Sequence, residues 1–250
     1  MPGRRVAIVT GAGGGLGRAM AAGLARAGLD VVAVHHRGPA PVVGDVTSAA
    51  DCERIAALAV GTYGRVDVLV NNAGLSHQRF PRRHETELGD VAEADWRAVF
   101  DVNVTGAFLM TRAVLPAMLE RGHGRVVNVG TSKATMLRAS FLPYGASKAA
   151  LEAMTAGWAA RLAGTGVTVN ELLPGGPCDT PAQGDRDRRG MWPADVMVPP
   201  VVWLARSAPD SVTGRRFVAR LWDATLPAAA GFAAGWPLEP HDHPLPMGAV

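Results

Sequence analysis

Short continuous apolar runs alternate with helix-prone segments along most of the chain, and this alternation restricts the fold more than any other feature. Arg5 to Val9, Val31 to Val34, Val66 to Val70, Arg125 to Val129, Val167 to Leu172 and Arg216 to Ala219 have the pattern of buried strands. Between them, Ala19 to Ala27, Ile55 to Tyr63, Trp96 to Arg121, Tyr144 to Ala163 and Pro200 to Ala205 are predicted as helices, with Pro116 near the far end of the third. Strands that lack polar alternation are covered on both faces, which implies a parallel sheet sandwiched by helices. Right-handed crossovers then wind it into a doubly wound α/β domain of about seven strands. This domain is expected over residues 1–222.

One connection is too short for the pattern. The second strand ends near Arg37, and the next strand-like piece is Val42-Val43-Gly44-Asp45-Val46. A crossover carrying a helix needs roughly 10–12 residues. Only Gly38-Pro39-Ala40-Pro41 are at hand, and four or five extended residues reach about 14–17 Å. The chain is therefore expected to return along the strand without a helix. From Asp223 onward five prolines break any period, so residues 223–250 read as a Pro-rich tail, disordered or wrapped along a neighbour, with Phe232 and Trp236 as docking groups.

Composition removes several function classes. Apolar residues are 48% and charged residues 19%, too apolar for a disordered chain. The formal charge is only +3 and no five like charges run together, which argues against a nucleic-acid partner. No eighteen residues are both uncharged and apolar, so no membrane partner is expected. The apolar stretch after Arg4-Arg5 turns glycine-rich too soon for a signal peptide. Cys52 and Cys178 read as free thiols of a cytoplasmic protein, and no metal-ligand cluster is expected.

The first strand runs into Thr10-Gly11-Ala12-Gly13-Gly14-Gly15-Leu16-Gly17 and then a helix. Such a turn lets backbone N–H groups approach a pyrophosphate, and the helix N-terminus adds about half a positive charge. The spacing is Gly-x-x-x-Gly-x-Gly. With Asn71-Asn72-Ala73-Gly74 after a strand, Asn103 in Val-Asn-Val-Thr-Gly, Tyr144-Gly-Ala-Ser-Lys148 opening a helix and Pro174-Gly175 after a late strand, the chain resembles the short-chain dehydrogenase/reductase family over residues 4–220.

That resemblance implies a single Rossmann-type domain and an NAD(P)-dependent oxidoreductase that moves hydride between nicotinamide and a ketone or secondary alcohol. Tyr144 and Lys148 are four residues apart and share one helix face. By resemblance, Tyr144 is the general acid–base, and Lys148 holds the nicotinamide ribose and lowers the phenol's pKa. Of the 25 basic residues only Lys133 and Lys148 are lysines, so a compact ammonium at that place is itself informative. The family's serine, thirteen residues before the tyrosine, falls on Thr131, with Ser132 as the alternative. Asn103 matches the helix-bending asparagine that supports a water relay toward Lys148; it also reads as a buried structural amide, and the two roles are compatible.

The resemblance also bears on cofactor and substrate. Gly11, Gly15, Leu16, Gly17, Asn72, Ala73, Gly74, Pro174 and Gly175 are expected at the cofactor, together with Tyr144 and Lys148. The position where an acid selects NAD is His35, followed by His36 and Arg37. With no carboxylate to repel a 2′-phosphate, NADP is the expected cofactor and NAD the alternative. Asp45 and Val46 are expected beside the adenine. Cys178, Met191, Trp192, Met136, Leu137, Phe141 and Leu142 are expected to form a largely apolar mouth for a small or medium carbonyl or alcohol substrate. Arg79, Arg82 and Arg83 read as a solvated loop. A homo-oligomer, tetramer or dimer, is expected from the apolar surfaces of the two long helices. The competing readings are a silent cofactor-binding scaffold, and an enzyme of the same fold acting on another bond such as an imine.

Overall fold

A computed structural model describes residues 3–38, 40, 42–76, 91–183, 187–223 and 235–237. Its main sheet is built from β1 (Val6–Thr10), β2 (Asp30–His35), β3 (Val42–Val43), β4 (Val68–Asn71), β5 (Gly124–Val129), β6 (Val167–Leu173), β9 (Arg215–Val218) and β10 (Gly235–Pro237). The strand order is β10-β9-β6-β5-β4-β1-β2-β3. The first seven strands pair in parallel, and β10 adds antiparallel to the β9 edge. A two-residue side ladder joins β7 (Cys178–Asp179) to β8 (Trp192–Pro193).

Alternation within β1 shows how the sheet is covered. Val6 and Ile8 face the layer of α2 (Ala49–Tyr63) and α4 (Gly106–Glu120), where Ile55, Met110, Val114 and Met118 are fully buried. Ala7 and Val9 face α1 (Gly15–Arg26) and α7 (Val198–Arg206), through Met20, Leu24, Val201 and Leu204. Each fully buried side chain of this size stabilises the fold by about 1.5–3 kcal/mol before ordering costs. The doubly wound α/β arrangement is the expected one.

Several expectations are corrected in detail. The helix α2 begins six residues before Ile55, because the Ser48 hydroxyl caps it by accepting from Asp51 N at 3.2 Å. The long third helix contains a π turn. The segment α3 (Glu93–Phe100) passes through π-helical Asp101–Thr105 into α4, and the widened turn carries Asn103. As a whole, Glu93–Glu120 is long and apolar enough by length and composition to cross a bilayer although it carries charges; its inner face is packed on the sheet.

The β2–β3 return is completed between His35 and Val42, with Val34 opposite Val42. The strand β3 ends at Val43 rather than Val46, because the Asp45 carboxylate accepts from Thr47 N and Oγ1 and turns the chain. The tail contributes Gly235–Pro237 to the chain's own sheet edge, where proline is tolerated. Arg79, Arg82, Arg83 and Phe232 lie outside the described residues.

Candidate active site

The glycine turn lies at the C-terminal end of β1, beside the point where strand order reverses between β1 and β4. Gly11 has φ +64° and Gly15 φ +51°. A Cβ on Gly17 would lie 2.3 Å from the Gly11 carbonyl oxygen and 2.4 Å from Asn72 Nδ2. No side chain fits there, which is why the helix can start so close under the turn. Thr10 and Asn72 lock the turn to the β4 loop. The Thr10 hydroxyl accepts from Asn72 N and Ala73 N, both at 3.0 Å, and Asn72 Nδ2 donates to Thr10 O and Gly11 O.

The first turn of α1 has no side-chain cap at Gly14, and a Cβ on Gly14 would meet nothing within 4 Å. This open, uncapped helix start fits the pyrophosphate of a dinucleotide. Leu16 packs on the core behind it. Two neighbours of the turn were missed by sequence reasoning. Arg18 Nη2 donates to Gly13 O at 2.5 Å, and Thr180 lies 3.2 Å from a Cβ position on Gly15. Arg18 follows the glycines directly and could have been noticed, whereas Thr180 is brought in only by the folding of the segment after Gly175.

Helix α6 (Tyr144–Arg161) packs on β6 and on the π turn, with Tyr144 as its first residue. The Tyr144 side chain is hydrogen-bonded to Thr131. Ser132 is occupied elsewhere. Its hydroxyl accepts from Thr135 N at 3.2 Å and lies 2.9 Å from Thr135 Oγ1, capping the one-turn helix α5 (Lys133–Met136). Lys148 is buried, donates from Nζ to Val129 O at 2.7 Å, and lies 5.9 Å from the Tyr144 ring centroid. A Cβ on Gly74 would lie 3.2 Å from Asn103 Oδ1 and 3.7 Å from Lys148 Nζ, so the loop after β4 passes close beside both.

The electrostatics differ from the expectation that Lys148 depresses the phenol. Burial pushes the Tyr144 pKa up, the Thr131 hydrogen bond opposes this, and the Glu171 charge adds to the rise. Burial also lowers Lys148 to about 8, with Glu171 acting in the opposite direction. Asn103 is fully buried in the π turn. Its Oδ1 accepts from Leu75 N at 2.8 Å, and its Nδ2 donates to Leu75 O at 3.0 Å and Ser147 Oγ at 2.9 Å. These contacts make the side chain a brace between the Leu75 loop and α6.

The remaining expected residues are spread around the same rim. His36 and Arg37 are exposed just past β2, with His36 Nδ1 4.0 Å from Asp45 Oδ2. Burial raises the Asp45 pKa, but hydrogen bonds from Thr47 and the nearby His36 outweigh it and hold the carboxyl below its usual range. Val46 is buried and lines a narrow gap with Thr10, Ala73 and Asn103. Pro174 O accepts from Arg220 N, and Gly175, at φ +89°, lies where a Cβ would meet Val218 at 2.5 Å. The expected mouth is divided. Leu137, Leu142 and Trp192 are exposed, Phe141 and Met191 half-buried, while Met136 and Cys178 are buried. Met136 is instead directed at Arg216, 3.8 Å from Sδ to Nη2.

Comparison with known proteins agrees with this arrangement. The short chain dehydrogenase family model matches residues 5–189. A 3-oxoacyl-[acyl-carrier-protein] reductase of Synechocystis is 35% identical over 188 residues, 68% of this chain and 73% of that one. The 2-dehydro-3-deoxy-D-gluconate 5-dehydrogenase of Escherichia coli is 32% identical over 239 residues, 84% of this chain and 91% of its own. A gluconate 5-dehydrogenase from Burkholderia cenocepacia, solved with NADP and tartrate, superposes with a TM-score of 0.75 at 30% identity, covering 86% of this chain and 92% of that one. A related enzyme from Beutenbergia cavernae with bound NADP gives 0.74 at 33% identity, covering 87% and 96%. With the glycine turn, the Tyr144–Lys148 pair and the strand order all in place, the chain belongs to the short-chain dehydrogenase/reductase family and is an NAD(P)-dependent oxidoreductase of the alcohol–carbonyl pair.

Proposed function

We propose that the enzyme reduces a small or medium, largely apolar ketone, or oxidises the matching secondary alcohol, with NADP(H) preferred and Tyr144 as general acid–base. The observation that carries this reading is the Tyr144 side chain hydrogen-bonded to Thr131 with buried Lys148 beside it. Bound at this rim, a nicotinamide cofactor supplies the hydride. Gly11, Gly15 and Gly17 leave room for its pyrophosphate. Arg37, with His36, pairs a 2′-phosphate, and Lys148 holds ribose hydroxyls. Two similar solved structures carry NADP, in line with the missing acid at His35.

The chain's own residues do the rest of the chemistry. The Thr131 hydroxyl orients the substrate oxygen, and Tyr144 gives it a proton as carbon is reduced. A phenol pushed up by burial stays protonated across neutral pH, which suits the reductive direction. The exposed Leu137, Leu142 and Trp192 offer apolar area to the substrate. Trp96, Phe108 and Leu119 are about two-fifths exposed on the α3–α4 rod, which supports a homotetramer closing on that face. The two unpaired, buried cysteines, each with its thiol pushed up to about 11, support a cytoplasmic setting.

The reading is tested by NADPH oxidation across a ketone panel that includes acetoacetyl-CoA and 5-keto-D-gluconate, followed by Tyr144→Phe. General acid help is worth about 10²–10⁴-fold, so the variant should lose that factor in kcat while still binding NADPH. Retention of more than ~10% of kcat at neutral pH would overturn the assignment.

A further inference from the structure

Behind Thr131 lies a charge cluster that neither the glycine turn nor the Tyr144–Lys148 pair explains. Arg216 on β9 is fully buried. Its Nε donates to Glu171 Oε2 on β6 at 3.0 Å, and its Nη2 pairs with Glu152 on α6. The same Nη2 donates to the Thr131 backbone carbonyl at 3.2 Å. Glu171 completes the support from the other side of that peptide. A Cβ on Gly130 would lie 1.5 Å from Glu171 Oε1, so the carboxylate fills the space that a side chain at 130 would need. Glu171 is fully buried, and Oε1 has no hydrogen-bond partner among the described residues.

Burying three ionisable groups costs several kcal/mol per ion, and an apolar trio of similar volume would commonly be as stable or more so. Stability alone is therefore a weak reason for the cluster. Its placement suggests a better one. Tyr144, Lys148 and Glu152 follow at four-residue spacing on one face of α6, while Thr131 follows the end of β5 and Glu171 sits in β6. The guanidinium fork is the one side chain that can satisfy two carboxylates and a carbonyl from a single fixed plane. We propose that Arg216 is a positioning residue for the reaction: held by Glu171 and Glu152, it fixes the Thr131 carbonyl and thereby aims the Thr131 hydroxyl at Tyr144. Burial raises the Glu171 carboxyl to about 7 against the pull of Arg216, and the charge it carries adds to the rise at Tyr144.

The proposal rests on Thr131 and Tyr144 acting as described above, and the experiment keeps the two apart. Tyr63 and Tyr144 are the only tyrosines, so ¹³Cζ-tyrosine labelling of the full chain gives two resonances, with half-exposed Tyr63 as internal reference. Arg216→Lys keeps the charge but lacks the fork. It should shift the Tyr144 resonance in the direction that Thr131→Val shifts it, with Tyr63 unmoved. With the best panel ketone and NADPH, kcat should fall about 10- to 100-fold, as small misplacements of reacting groups do. KM should stay within about two-fold, since ground-state binding is not the interaction removed. In the Thr131→Val background, Arg216→Lys should add almost nothing to either readout, because both act through one hydroxyl.

Additive effects, or an unchanged resonance and kcat in Arg216→Lys, overturn the proposal. If Thr131→Val is itself silent while Tyr144→Phe is inactive, the Thr131 reading fails and takes this one with it. Where Arg216→Lys does not fold, Arg216→Gln/Glu171→Gln removes a charge of each sign together and should give the same coupling. If neither variant shows a cooperative melt, the cluster is a folding element and the proposal falls.

Discussion

Thr131 and Ser132 are adjacent hydroxyls with opposite fates, and a pair of conservative substitutions separates them. Thr131→Val keeps the branched shape and removes the oxygen that bonds Tyr144. Losing a donor that acts on the transition-state oxygen costs about 2–4 kcal/mol, roughly 30- to 1,000-fold in kcat/KM. Thr131 is only partly buried and the change is near-isosteric, so the melting temperature should shift little. Ser132→Ala has the reverse profile. It removes the cap on α5 and the contact with Thr135 Oγ1. A lost cap costs about 1 kcal/mol, which in a domain of this size lowers Tm by roughly 2–4 °C. Its kcat/KM should stay within about three-fold, as expected of a residue off the reaction path. The assay is NADPH oxidation with the best panel ketone, beside a thermal melt of each variant. A severe kinetic defect in Ser132→Ala with a mild one in Thr131→Val would refute the reasoning, because it would mean that the capping hydroxyl is the one the substrate meets.

Three further outcomes follow from the site. Gly17→Ala should abolish NADPH binding while leaving most of the fold, since its Cβ would lie 2.3 Å from the Gly11 carbonyl; fluorescence titration with retained affinity would contradict the close approach. In the reductive direction kcat/KM should decline as pH rises through about 8, where the buried Lys148 loses the proton that a solvated lysine keeps to about 10.4, and a profile flat to about pH 10 would remove Lys148 from the mechanism. Arg37→Asp should reverse a preference for NADPH over NADH, because a carboxylate past β2 repels a 2′-phosphate and accepts from a ribose hydroxyl; equal kcat/KM for both cofactors in the parent enzyme would count against the assignment.

The features legible in the sequence were those whose physics is local. Buried strands announce themselves by unbroken apolar runs, and Val6 to Val9 needed no knowledge of their neighbours to imply cover on both faces. The Gly11–Gly17 spacing encodes backbone that only glycine adopts or that must be approached closely. Tyr144 and Lys148 share a face because a helix repeats near four residues. The short Gly38–Pro41 link excludes a crossover helix by length alone. Thr131, with Ser132 as the alternative, is reached only through the family resemblance, whose serine lies thirteen residues before the tyrosine.

What the tertiary structure decided lies in contacts between distant elements. The brace role of Asn103 depends on Leu75 and Ser147, 28 and 44 residues away. The π turn that carries it leaves no mark in an apolar period. The pKa of Tyr144 is governed by burial rather than by Lys148, and burial is a property of the packed site, not of spacing on α6. Arg216, Glu152 and Glu171 each read as an ordinary charge in its own segment. Only when β6, β9 and α6 pack together do they lose water, and the desolvation that then forces them to pair is a consequence of the assembled core that no single segment carries.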